Sequence, residues 1–175
     1  PRIAAPAGWD ISRGSSQVAM AIIDSGVAPT HPDLASKLML GYSFLTNTQN
    51  TNDVLGHGTA VAGTAAALAE NLTGGVGLAL HNPVLPLVVL DATNYASYAN
   101  IAAAILYAAA HGARVLNISI GGAGFSSTLQ SAVDYAWNTG AVIVACAMNN
   151  ASSTPMYPAA LERVVAVSAT DASDN

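Results

Sequence analysis

The chain has 175 residues, 52% of them hydrophobic and only 9% charged, with five basic against ten acidic side chains and a net charge of −5. That length fits one domain with a sizeable core, and the composition excludes a disordered chain. The basic residues Arg2, Arg13, Lys37, Arg114 and Arg163 form no stripe, which argues against a nucleic-acid partner, and no apolar run reaches the roughly 18 residues of a membrane span. Pro1-Arg2-Ile3 opens the chain as a mature or trimmed N-terminus would, so no signal peptide is expected.

Residues 18–24 form the first apolar run, a predicted strand that ends on Asp24. Residues 41–56 are polar, rich in Asn and Thr, and predicted irregular. An Ala-rich helix is expected over 58–69, with Val61, Ala65 and Leu68 at helical spacing. A strand over 84–90 follows, then a helix over 97–111 with Ile101, Ile105 and Ala108 on one face and Gly112 at its end. Residues 114–119 read as a strand. Residues 126–139 read as a helix with a Ser126 cap, Leu129, Val133 and Trp137 at four-residue spacing, and Gly140 at the close. Strands over 141–147 and 164–169 complete the pattern. Cys146, the sole cysteine, excludes an internal disulfide and reads as a buried, inert thiol.

Strands that are apolar without alternation are expected to be buried on both faces. Alternating with helices, they predict an α/β fold: a three-layer sandwich, a mainly parallel sheet with helices on both faces, in one domain. Sites in such sheets gather at the carboxyl ends of strands. Asp24, Ser119 and Asn149 all fall there.

Asp24 closes a buried strand, where a carboxylate is costly unless paired or hydrogen-bonded. One reading is a carboxylate that caps the Ser25-Gly26 turn. His57 supplies another. It sits between Gly56 and Gly58 at a helix start, where the positive end of the dipole disfavours a cationic side chain. An imidazole oriented by a buried carboxylate is a general-base arrangement. A nucleotide-binding domain would need a glycine-rich phosphate loop after the first strand, and Ser25-Gly26-Val27-Ala28-Pro29 is not one.

Taken in order, Ile23-Asp24-Ser25-Gly26, His31-Pro32-Asp33-Leu34, Gly56-His57-Gly58-Thr59, Asn117-Ile118-Ser119-Ile120-Gly121-Gly122, Tyr157-Pro158-Ala159 and 165–169 make the chain resemble the subtilisin-like serine proteases. The resemblance implies an endopeptidase in which Asp24 orients His57, and His57 takes the proton of a nucleophilic serine. It implies that Asn149 is an oxyanion donor, although Asn150 stands beside it and Met148 occupies the family's usual glycine position. Ser119, Ile120 and Gly121 would pair with substrate backbone, and Tyr98 and Ile101 would line a side-chain pocket, or simply pack a helix start. Met148 and Met156 would narrow the primary specificity pocket. Asp33 and Asn71 match a structural calcium position, with turn chemistry at Asp33 as the alternative. The chemistry itself asks for no cofactor.

The family's nucleophile lies in a Gly-Thr-Ser segment, and none occurs here. The expectation is therefore the N-terminal portion of a peptidase domain, residues 1–175, cut before the nucleophile and inactive in isolation. Its expected partners are polypeptide substrates and the missing C-terminal part of its own domain. Its expected location is outside the cell. The alternative is a non-catalytic subtilisin-like module that binds peptides.

Overall fold

The computed structural model describes residues 3–171. A short helix α1 (Ala5–Trp9) precedes the first strand, β1 (Ala19–Asp24). A 3-10 turn (Ala35–Lys37) and β2 (Tyr42–Ser43) lead to helix α2 (His57–Ala66). Then follow β3 (Val84–Val88), α3 (Tyr98–Ala110), β4 (Ala113–Ile118), α4 (Ser127–Asn138), β5 (Val142–Cys146) and β6 (Val164–Val167). Six parallel strands form one sheet in the order β2-β3-β1-β4-β5-β6. This is the three-layer α/β arrangement that the strand and helix pattern predicts.

Strand β1 is the centre because it is apolar on both faces. All six of its residues are buried, as are all five of β3. Its alternating side chains feed two separate cores. Ala21 and Ile23 join Leu85, Leu87, Ile101, Ile105, Leu116, Leu129, Val133 and Ile143 in the larger cluster, under α3 and α4. Met20 and Ile22 face the other way, toward Val27, Leu34, Ala62 and Ala66 of the α2 layer.

Burial on both faces does not extend across the sheet. In β4 and β5 buried and less buried residues are mixed, and Val165 and Val167 of β6 stay 50% and 49% exposed. The reason is coverage. Two helices overlie one face, whereas α2 alone overlies the other and packs on β1.

The helices start and stop where local chemistry allows. Ser97 Oγ accepts the Asn100 N–H at 3.1 Å at the head of α3, and Ser126 Oγ accepts the Leu129 N–H at 3.3 Å at the head of α4. Gly112 (φ 80°) follows α3 and Gly140 (φ 87°) follows α4, in the left-handed conformation that ends helices. At the tail of α2, the Lys37 ammonium donates to the carbonyls of Ala66, Ala79 (2.9 Å) and Leu80 (3.0 Å). Burial lowers the pKa of that ammonium.

Two helix faces differ from expectation. Helix α2 buries Gly58, Ala62 and Ala66, with Val61 and Ala65 only partly buried. Small residues let this helix lie close to the sheet. In α4 the buried stripe is Leu129, Ala132, Val133 and Ala136, and Trp137 is half exposed. The 3.6-residue period carries a four-residue series steadily around the helix. Among the described residues no helix is long and apolar enough to cross a membrane.

Candidate active site

Register brings the carboxyl ends of three strands together. Asp24 stands opposite Val88, and Ile22 stands opposite Asn117. The main-chain carbonyl of Asp24 accepts the N–H groups of Val89 (2.9 Å) and Leu90 (3.2 Å), which anchors the end of β1 to the chain leaving β3. The Asp24 side chain is fully buried. Its Oδ1 accepts the Ser25 N–H at 2.7 Å and meets His57 Nδ1 at 2.7 Å. A carboxylate offers only acceptors, so Nδ1 carries the proton and Nε2 is left as the basic nitrogen. The His57 side chain is 45% exposed, with its far edge on a cleft.

Oδ2 of Asp24 is buried and accepts no hydrogen bond within the protein. A buried carboxylate is costly unless hydrogen-bonded, and the two donors on Oδ1, the Ser25 N–H and the His57 Nδ1–H, meet that need.

Glycines make the approach geometrically accessible. A Cβ on Gly58 would sit 2.1 Å from the Gly26 carbonyl oxygen and 3.1 Å from Asp24 Oδ1. A Cβ on Gly26, at φ 114°, would sit 2.6 Å from the Thr51 carbonyl oxygen and 3.0 Å from that of Asn52. Gly56 opens α2 in the left-handed region at φ 83° with no side-chain cap of its own.

Asp53 takes over that capping, a role that sequence reasoning missed. Its Oδ1 accepts the N–H groups of Leu55 (3.0 Å) and Gly56 (2.8 Å) and the Ser25 hydroxyl (2.7 Å). Its Oδ2 accepts Thr59 N–H at 2.8 Å and Thr59 Oγ1–H at 2.6 Å. Burial pushes this carboxyl up, but the hydrogen bonds from Thr59, Ser25 and Gly56 outweigh it and hold the pKa below the ordinary value of 3.8. The available signal was an Asp four residues ahead of a histidine with no cap residue of its own.

The cleft beside His57 has a volume of about 530 Å³. Ser119, Ile120, Gly121, Tyr98, Ile101 and Asn149 line it together with His57, whereas Asp24 lies buried behind the histidine. Leu90, Asn94, Tyr95 and Ala96, none of them singled out from sequence, complete the wall with Gly122 and Met148. Segment 119–122 is held extended by a two-way bridge, with Gly122 N–H to Tyr157 O at 2.9 Å and Tyr157 N–H to Gly122 O at 2.7 Å. Asn117 Nδ2 donates to Ser119 Oγ at 2.9 Å. Burial raises the Tyr98 pKa; a hydrogen bond with the Gly124 backbone opposes this, and nearby Tyr157 adds to it.

Met148 takes φ 67°, a left-handed conformation that glycine adopts more readily, and lines the cleft next to Asn149. Asn150 is exposed, and Met156 is half-buried outside the cleft lining. Cys146 is only half-buried, in contrast to the expected buried thiol, and its Sγ lies 3.4 Å from Met148 Sδ.

Asp33 and Asn71 meet each other, apart from the cleft. Asn71 Nδ2 donates to Asp33 Oδ1 at 2.6 Å, and the Gly75 N–H donates to Oδ2 at 3.2 Å. Both carboxylate oxygens thus face nitrogen donors, and a calcium ion requires oxygen ligands. As arranged, these groups do not fit a bound calcium; Asn71 would first have to turn its Oδ1 inward. Among the described residues no three His, Cys, Asp or Glu side chains gather as a metal site.

The molecule is thus a parallel α/β sheet that sets a buried carboxylate against a cleft-facing histidine at the carboxyl ends of its strands, where such sheets form their sites. The chain belongs to the subtilase family, whose family model matches residues 15–175. It is 47% identical over 166 residues to the thermophilic serine proteinase of Bacillus sp. (strain AK1), covering 95% of this chain and 41% of that protein. It is 44% identical over 174 residues to thermitase of Thermoactinomyces vulgaris, covering 99% of this chain and 62% of thermitase. Against subtilisin Savinase of Lederbergia lenta the identity is 37% over 174 residues, covering 99% of this chain and 63% of that protein. The chain thus spans less than two thirds of the length of each.

Proposed function

We propose that this chain supplies the acid–base half and the peptide groove of a serine endopeptidase. The 2.7 Å contact between His57 Nδ1 and the fully buried Asp24 carboxylate carries the reading. Asp24 fixes the tautomer and steadies the imidazolium. His57 Nε2 takes the proton of a serine hydroxyl as that oxygen attacks the scissile carbonyl, then returns it to the leaving amine. The Asn149 amide donates to the oxyanion that develops. Ser119, Ile120 and Gly121 pair with substrate backbone as an added strand, and Tyr98 and Ile101 take a substrate side chain. The nucleophile comes from outside these 175 residues, in the Gly-Thr-Ser setting typical of subtilases. The chemistry needs no cofactor, and polypeptides met outside the cell are the fitting substrates.

A fluorophosphonate probe tests this. The complete gene product is expected to be labelled on a serine outside residues 1–175, and the isolated 175-residue polypeptide is not. His57→Ala in the complete product lowers peptide hydrolysis by about 10²–10⁴-fold, the usual contribution of a positioned base. Labelling of the isolated polypeptide, or none of the complete product, would overturn the proposal. In the latter case peptide binding without hydrolysis would identify a non-catalytic module.

A further inference from the structure

The histidine is held from both sides by one carboxylate that does not touch it. Asp53 Oδ1 accepts the N–H of Gly56, the residue before His57. The same oxygen accepts the Ser25 hydroxyl, and Ser25 Oγ in turn accepts the N–H of Gly58, the residue after His57, at 2.9 Å. The other oxygen, Oδ2, takes both donors of Thr59, and Thr59 Oγ1 accepts the Ala28 N–H at 2.9 Å. With the Leu55 N–H, from the loop that enters α2, five donors converge on one side chain, and the other four come from the turn leaving β1 and from the cap and first turn of α2.

Those two elements carry the two members of the acid–base pair. Asp24 immediately precedes Ser25, and His57 lies between Gly56 and Gly58. Neither glycine has a side chain to brace the backbone, and both lie at the start of a helix whose own capping is absent. The Leu55–Gly56 peptide, one step before His57, is thus held by Asp53 directly, and the His57–Gly58 peptide through Ser25.

We propose that Asp53 is a positioning residue for the His57–Asp24 pair. It ties the backbone around His57 to the strand end that bears Asp24, and sets the distance between them. The inference rests on the reading of His57 as the base. Charge suits this role: an ionised carboxylate accepts five hydrogen bonds at once, each stronger than a neutral one, and an amide in its place would turn a donor toward part of this set.

The test is Asp53→Asn, which keeps the shape, with Ser25→Ala, which removes the link to Gly58 alone. Both are made in the complete gene product. The first readout is the NMR signal of the His57 Nδ1 proton in protein labelled with nitrogen-15 histidine. We expect a far-downfield signal in the parent, broadened in Ser25→Ala and lost in Asp53→Asn as exchange with solvent accelerates about tenfold or more. The second readout is peptide hydrolysis, where kcat falls roughly 10–100-fold in Asp53→Asn while KM stays within about twofold. A folded Asp53→Asn variant with an unchanged His57 signal and unchanged kcat overturns the proposal. Loss of folding in both variants also overturns it, because Asp53 would then hold the fold and not the base. If the parent hydrolyses nothing, the proton signal still reports the positioning, so the two failures are told apart.

Discussion

Gly58 shows how narrow the tolerance is at a single residue. Its missing Cβ leaves room for the Gly26 carbonyl, which would otherwise lie 2.1 Å away. Gly58→Ala must push α2 off the end of β1, and overpacking of this kind costs about 1–3 kcal/mol. We expect a lower midpoint in urea and, in the complete gene product, a loss of activity larger than the loss of stability explains. Asp53 makes a different prediction, in pH. Its folded pKa lies below 3.8, so between the folded and unfolded values the unfolded chain binds the extra proton. Its contribution is therefore present above about pH 4 and is lost as pH falls through the folded value. Urea denaturation between pH 2 and 5 should show a shallower acid slope in Asp53→Asn than in the parent. Asp24 and His57 stood out in the sequence because each broke a local rule: a charge closing an apolar run, and a cation-forming ring at a helix start. Asp53 broke none. In a polar loop any Asp is explained by turn chemistry, and only the distances to Ser25 and Thr59 reveal its reach.

At the scale of elements, α2 is built from small residues and its weak point is Gly63. A Cβ there would meet nothing within 4 Å. Gly63→Ala should therefore stabilise the protein by about 0.5–1 kcal/mol by lowering the entropy lost on forming the helix, measured as a higher urea midpoint with an unchanged slope. The contrast with Gly58, five residues earlier on the same helix, separates backbone entropy from close packing. Helices α3 and α4 were legible to within about a turn, since serine caps and trailing glycines mark their ends. Strand β2 was not. Two residues carry no period, and Tyr42-Ser43 is a strand only because Leu87 and Val88 stand beside it. Helix α1 was missed for a similar reason: its five residues bury none of their number, so no apolar stripe announces them. Strand β6 was found but misjudged, because an apolar run cannot say whether a helix will cover it.

For the molecule as a whole, the uncovered end of the sheet matters most. Among the described residues β6 pairs only with β5, leaving Val165, Val167 and Val142 about half exposed at one end of the sheet. An edge with apolar side chains invites pairing with another strand. The isolated 175-residue polypeptide should associate at micromolar concentration, as seen by light scattering, and Val167→Lys should reduce this association without lowering the urea midpoint. A monodisperse parent polypeptide would contradict the expectation.

The place of β1 at the centre of the sheet has one more consequence, in time. Among the described strands it is the first to be made, yet its neighbours β3 and β4 end at Val88 and Ile118. At about 5–20 residues per second, a ribosome needs roughly 5–20 s to travel from the start of β1 to the end of β4. Through that interval six apolar or acid-ending residues wait without the partners that will bury them completely. A strand fully buried in the finished molecule thus spends that interval with one flank unpaired.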